Sequence, residues 1–200
     1  MLKRPDFIHI ISQKLAKEKH TQIVLDPVMV STSGHSLIDD DAKQALTAQL
    51  FPLTDLITPN IPEAATLLGK DEDWVEKNVH LACKEMLDQY QLKAVLLKGG
   101  HMQGDYCIDT LAIKNPKSEQ TDIHIFKNKK IDTVNSHGTG CSLSSAIAAY
   151  LAQGLSLKDS VESASHFLQK ALKDSEFQNV GNGHGPINHR SGASTYLLVS

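Results

Sequence analysis

The chain has 200 residues, 40% of them hydrophobic and 22% charged, with a formal net charge of −3. That composition makes one ordinary globular domain and argues against a nucleic-acid or anionic-membrane surface, leaving the lysines at 127, 129 and 130 as a solvated loop tip. Three cysteines without C-x-x-C spacing exclude a disulfide framework or a zinc site, and no apolar run has the length of a membrane span or the pattern of a signal peptide, so the expected setting is cytoplasmic.

Asp6 is placed to cap a helix to about Lys19, with Phe7, Ile10, Ile11 and Leu15 as its inward face. Gln22 to Leu25 then reads as a buried parallel strand that delivers a carboxylate, Asp26, at its C-terminal end. A loop over Ser31–Ser36 precedes a helix from about Asp39 to Leu50, which Pro52 is expected to stop. Leu56 to Thr58 is the next strand, and Pro62 opens a short helix ended by Gly69. Val75, Val79, Ala82, Met86 and Tyr90 predict one helix from Asp73 to Tyr90.

Lys93 to Lys98 is a third buried strand, ending in Gly99-Gly100-His101. Asp105 to Ile113 alternates as an exposed or edge strand, and Asp122–Lys127 with Lys130–Val134 reads as a hairpin. The segment DTVNSHGTGCSLSSAIAAYLAQG, from Asp132 to Gly154, reads as a strand end, a glycine turn and a small-residue helix. A last helix starts at Ser156 and runs to about Lys173. The rest is mostly loop, with Tyr196–Val199 as a short strand. Alternating strands and helices predict an α/β layer sandwich on a mostly parallel sheet, with ligands bound outside the carboxyl ends of the strands.

Four features fall at such ends: the Asp26 carboxylate, the Asn60-x-x-Glu63 pair, the Lys98 cation and the turn at Gly138-Thr139-Gly140-Cys141. A glycine turn before a helix either lets the helix pack closely or leaves N–H groups and a helix dipole aimed at an anion. Cys141 at such a helix start is either an activated thiol or a small packed residue. Phosphoryl transfer from ATP needs an oxygen-liganded Mg2+, positive charge near the migrating group, an anion cradle and a base, and each has a candidate in this set.

The segments VLDPVMVSTSG, ITPNIPEAATLLG, VLLKGGH, HGTGCSLSSAIAA and GNGHGPINH occur in this order. Together they resemble the hydroxymethylpyrimidine/phosphomethylpyrimidine kinases of thiamine synthesis, in the ribokinase-like superfamily. The resemblance spans residues 1–189 as one kinase domain and leaves 190–200 as a divergent tail. It implies a three-layer α/β sandwich that lacks the family's N-terminal strands and the substrate loop they carry. It implies ATP and Mg2+ as cofactors and phosphorylation of 4-amino-5-hydroxymethyl-2-methylpyrimidine and its monophosphate. Pyridoxal kinase and a non-catalytic nucleotide-binding remnant are the alternatives.

By the same resemblance Cys141 is the catalytic base, with Gly138, Thr139 and Gly140 as the anion hole. Glu63 and Asn60 orient Mg2+ and the ATP phosphates, Asp26 serves the metal, and Lys98 neutralises phosphate charge. Met1 and Val28 line the pyrimidine pocket, and the family suggests a homodimer. GNGHGPINH has no role derivable from its residues.

Overall fold

The computed structural model describes residues 2–18, 21–29, 37–100, 104–118, 120–176, 178, 183 and 185–191. These residues fall into two compact units, 1–127 and 128–200. Met1, the loop 31–36 and the strand expected at 196–199 lie outside the described residues.

The first unit holds α1 (Pro5–Leu15), β1 (Val24–Leu25), α2 (Asp40–Ala45), β2 (Leu56–Ile57), α3 (Ile61–Leu68), α4 (Glu72–Lys77), α5 (Val79–Gln89), β3 (Ala94–Leu97) and β4 (Tyr106–Lys114). β5 (Thr121–Lys129) closes a five-stranded sheet in the order β1-β2-β3-β4-β5. β1, β2 and β3 are parallel, with Val24 opposite Leu56 and Ile57 opposite Val95, and β4 runs antiparallel to β3. The expected α/β architecture is therefore present.

Successive strand residues point to opposite faces, so the sheet buries two sets of side chains. Ile57, Val95, Leu97 and Ala112 share a core with Ile8, Leu46, Phe51, Ile61, Met86 and Leu87 from the helices. Leu56, Leu96 and Leu111 are equally buried on the opposite face. No helix among the described residues is long and apolar enough to cross a membrane.

Several elements depart from the sequence expectations. α1 ends at Leu15 and has Arg4, which carries no acceptor, at its N-cap without a side-chain bond, while Asp6 lies inside the first turn and pairs with Arg4. Its buried residues are Ile8 and Ser12, whereas Phe7 and Ile10 are 50% and 60% exposed. The helical run does reach Leu50, but α2 ends at Ala45 and passes into a π-helical turn, Leu46–Leu50, and Pro52 sits at the start of a 3-10 turn, Phe51–Leu53, where its missing N–H is tolerated.

The helix expected from Asp73 to Tyr90 is two helices that break at Asn78, whose φ of −129° and ψ of 38° are not helical. β4 is no edge strand: it lies between β3 and β5, with residues 109–112 all buried. The turn of its hairpin with β5 is closed by Asn115 N–H to Gln120 O, and 130–134 forms no strand. The second unit is built on α6 (Thr139–Ala152) and α7 (Leu157–Lys173), which pack against each other.

Candidate active-site residues

The first unit gathers an acid–lysine cluster at the carboxyl ends of its three parallel strands. Asp26 follows β1, Thr58 to Asn60 follow β2, and Lys98 follows β3. The backbone holds them in step: Thr58 N–H donates to Leu25 O at 3.0 Å and Lys98 N–H to Pro59 O at 2.8 Å, and Asn60 and Lys98 form a parallel bridge. Lys98 Nζ reaches Asp26 Oδ1 at 2.8 Å, with both side chains only 13% exposed, and Thr58 Oγ1 donates to the same oxygen at 3.0 Å. A pair so withdrawn from water is far more sensitive to loss of a partner than the surface pairs of this chain.

Asn60 and Glu63 join this cluster through helix capping. Asn60 Oδ1 accepts Glu63 N–H and Glu63 Oε2 accepts Asn60 N–H, each at 2.8 Å, which completes a capping box at the start of α3. Pro62 lies in the first turn, and Gly69 ends α3 with a φ of 63° that glycine adopts without strain. Glu63 is 2% exposed. Burial pushes its carboxyl above the ordinary range, against the Lys98 ammonium and the N–H donors of Asn60 and Met29, while the Asp26 charge adds to the push. The Met29 contact ties α3 to the segment that carries Asp26 and the half-buried Val28.

Sequence reasoning missed Asp109, the carboxylate on β4 next to this cluster. It is 7% exposed, and its Oδ1 accepts Gly99 N–H at 3.0 Å and the Cys107 thiol at 3.5 Å. Burial raises its pKa as well, opposed by Gly99, Cys107 and Lys98. The available signal was an acid in the buried register of an alternating strand.

A cleft of about 400 Å³ lies at the other ends of the strands, lined among others by Ile23, Asp55 and Lys93. Its central acid is satisfied in place: Asp55 accepts Ile23 N–H and pairs with Lys93, each at 2.8 Å.

The second unit holds the glycine turn. Gly138 stands at the N-cap of α6 with a φ of 84°, a conformation that disfavours any side chain, and Thr139, Gly140 and Cys141 form the first helical turn. Cys141 is exposed, so it is not the packed core residue that a cysteine in this place can be. None of the three cysteines forms a disulfide, and burial pushes the Cys83 thiol up to about 12.

Residues 185–189 of the GNGHGPINH segment lie on this turn, while 181, 182 and 184 are outside the described residues. His137 N–H donates to Gly185 O at 3.1 Å, Ile187 N–H returns to His137 O at 3.4 Å, and His189 Nε2 meets Ser142 Oγ at 2.8 Å. The segment therefore grips the turn on both sides of Gly138–Cys141. A Cβ at Gly185 would collide with the Asn135 side chain, whose amide in turn donates to Ser175 O and Gln178 O. Only glycine permits that approach.

Mg2+ favours oxygen ligands and is commonly held by one or two carboxylates together with substrate phosphates and water. Among the described residues no group of three or more His, Cys, Asp or Glu is gathered to hold a metal alone. Asp26 and Glu63 are a donor set of the oxygen-only kind that Mg2+ shared with phosphates requires, so these residues fit the ion.

The model of the phosphomethylpyrimidine kinase family matches residues 1–188. The chain is similar to a bifunctional thiamine biosynthesis protein of Geobacter sulfurreducens, with 39% identity over 94% of this chain and 36% of the relative. It is also similar to a hydroxymethylpyrimidine/phosphomethylpyrimidine kinase of Staphylococcus aureus, with 35% identity over 94% of this chain and 66% of that protein. The chain thus spans less than two thirds of either of these relatives. Among solved structures it resembles an ADP complex of Bacillus subtilis pyridoxal kinase, with TM-score 0.80, 29% identity, and 96% and 67% of the two chains covered. It also resembles a Clostridium difficile phosphomethylpyrimidine kinase, with TM-score 0.68, 35% identity, and 86% and 66% covered. The fold is that of the ribokinase-like kinases. With residues 1–188 of its 200 matched by the family's model, this chain belongs to the phosphomethylpyrimidine kinase family.

Proposed function

We propose that this chain carries phosphoryl-transfer machinery that uses ATP and Mg2+ to phosphorylate 4-amino-5-hydroxymethyl-2-methylpyrimidine and then its monophosphate, in thiamine biosynthesis. The observation that carries this reading is the Asp26–Lys98 pair, with Asn60 and Glu63, at the ends of parallel strands in a chain of this family. The curated relatives support the pyrimidine as acceptor, because their names give that substrate at 35% identity.

Cys141, exposed in the first turn of α6, takes the proton of the acceptor hydroxyl as its oxygen attacks the γ-phosphorus. The γ-phosphorus bond to the bridging oxygen breaks, and ADP leaves with the electron pair. N–H groups of Gly138, Thr139 and Gly140 receive the negative charge that develops on the transferred group. Lys98 neutralises charge on the phosphates, and Asn60 and Glu63 orient them. When bound, Mg2+ supplies charge compensation to the phosphates, and Asp26 and Glu63 would hold it. Val28 lines the pyrimidine side.

The kinase domain is residues 1–189. The cysteine spacing read from the sequence supports a cytoplasmic setting, and the family resemblance supports a homodimer.

Parallel assays with the pyrimidine alcohol and with pyridoxal, each with Mg·ATP, test the proposal. Preferential phosphorylation of the pyrimidine is expected. Preference for pyridoxal would overturn the acceptor, and nucleotide binding without product from either alcohol would leave a non-catalytic remnant.

A further inference from the structure

Lys98 is the last residue before a pair of glycines, where the backbone has the least intrinsic reason to keep one direction. On one side it is fixed by its own N–H on Pro59 O at 2.8 Å. The antiparallel ladder on the other side runs only to Leu97 opposite Thr110. Beyond that pair, the Gly99 N–H turns to the side chain of Asp109 at 3.0 Å. Cys107, two residues along β4, donates its thiol to the same Oδ1, and its sulfur lies where a Cβ on Gly100 would be 3.7 Å away. Asp109 therefore holds Gly99, with Cys107 beside Gly100 bonded to the same carboxylate.

Burying a carboxylate at 7% exposure in a strand is costly, and a neutral residue would pack the same position better. The geometry points to Asp109 as a positioning residue: its bond to Gly99 fixes the end of β3, and with it the place of the Lys98 ammonium at the nucleotide phosphates. Its contact is with the backbone beside Lys98, and it works through that lysine. This role rests on the phosphate-binding reading of Lys98 given above.

Titration of Mg·ADP into the intact chain by calorimetry, with thermal unfolding in parallel, tests the assignment. Asp109→Ala removes the acceptor and is expected to weaken Mg·ADP binding about tenfold, the scale of one hydrogen bond to a charged group. Asp109→Asn keeps an oxygen on the Gly99 N–H and is expected to stay within about threefold of wild type.

A purely structural Asp109 would lower the unfolding temperature and leave the affinity alone, which overturns the assignment. An Asn variant as weak as the Ala variant overturns it too. If the Ala variant has no unfolding transition, amide exchange in the wild-type chain decides. Protection of Gly99 N–H that rises with Mg·ADP supports the role, and exchange at the rate of an open loop refutes it. A folded wild-type chain that binds no Mg·ADP would instead refute the phosphate-binding reading of the site.

Discussion

The acid–lysine cluster and the glycine turn are organised by opposite means. In the first unit Asp26, Lys98, Glu63 and Asp109 are charged groups withdrawn from water and each held by a partner, with Lys98 and Asp26 bearing on the protonation of Glu63 and Lys98 on that of Asp109. In the second unit the turn is made of backbone, its one reactive side chain is exposed, and its shape comes from a neighbouring segment pinned at His137 and Ser142. A charge cluster is sensitive to the loss of any single partner, because each loss strands another charge. A backbone cradle is indifferent to most side-chain changes, and its function can be removed without touching its stability.

The largest effect on stability is expected from Lys98→Met. Asp26 would keep the Thr58 hydroxyl but lose its ion partner at 13% exposure, at a cost of about 3 kcal/mol. Each kcal/mol lowers the unfolding temperature of a chain this size by roughly 2–4 °C, so thermal denaturation should show the change clearly. An unchanged temperature would mean that water screens the pair, and the contrast between the two regions would fall.

Much of the first region was legible because its logic is local. Asp26 and Lys98 each follow a short apolar run and precede a proline or a glycine pair, and Asn60 and Glu63 flank Pro62 at a helix start, so strand ends and helix starts could be read directly. The departures arose where a tertiary partner or a local backbone preference prevailed. The apolar stripe Val75, Val79, Ala82, Met86 continues through Asn78, so periodicity hides the break; Asn78 instead turns its side chain onto Trp74 O at 2.9 Å, the backbone competition typical of asparagine. The β4–β5 turn at Asn115-Pro116 was available as a turn signal, but the alternation of 122–127 fits either neighbour. The Gly99–Asp109 and His189–Ser142 contacts were out of reach for another reason: each joins residues 10 or more positions apart, with no periodicity to announce the pairing.

A smaller effect, and a directional one, is expected from Glu63→Gln. Glutamine can complete the capping box as glutamate does, so the substitution removes charge with little change of shape. Because the folded carboxyl binds its proton more tightly than the unfolded one, the folded state holds more protons between the two pKa values. Stability from this group therefore falls as pH rises from the ordinary glutamate range through the raised folded value. The Gln variant lacks that loss. Its unfolding temperature relative to wild type should climb with pH across the window and level off above it. A constant difference would show that Glu63 carries no net burial penalty, its charge being compensated by Lys98 and the N–H donors.

The smallest effect on stability is expected from Cys141→Ala, and it is the one that separates the regions most sharply. The thiol is exposed and the turn is shaped by Gly138 and by the segment at Gly185–His189, so stability should stay within about 0.5 kcal/mol. If the thiol is the base for the acceptor hydroxyl, turnover should still fall by about 10²–10⁴-fold, the usual contribution of a positioned base. Nucleotide affinity, which depends on the other cluster, should not move. Steady-state kinetics beside calorimetric Mg·ADP binding distinguishes the cases. A turnover unchanged by the substitution would assign the proton to another group. A parallel loss of nucleotide affinity would show that the turn also contributes to holding the nucleotide, so that its role is not confined to the transferred phosphoryl group.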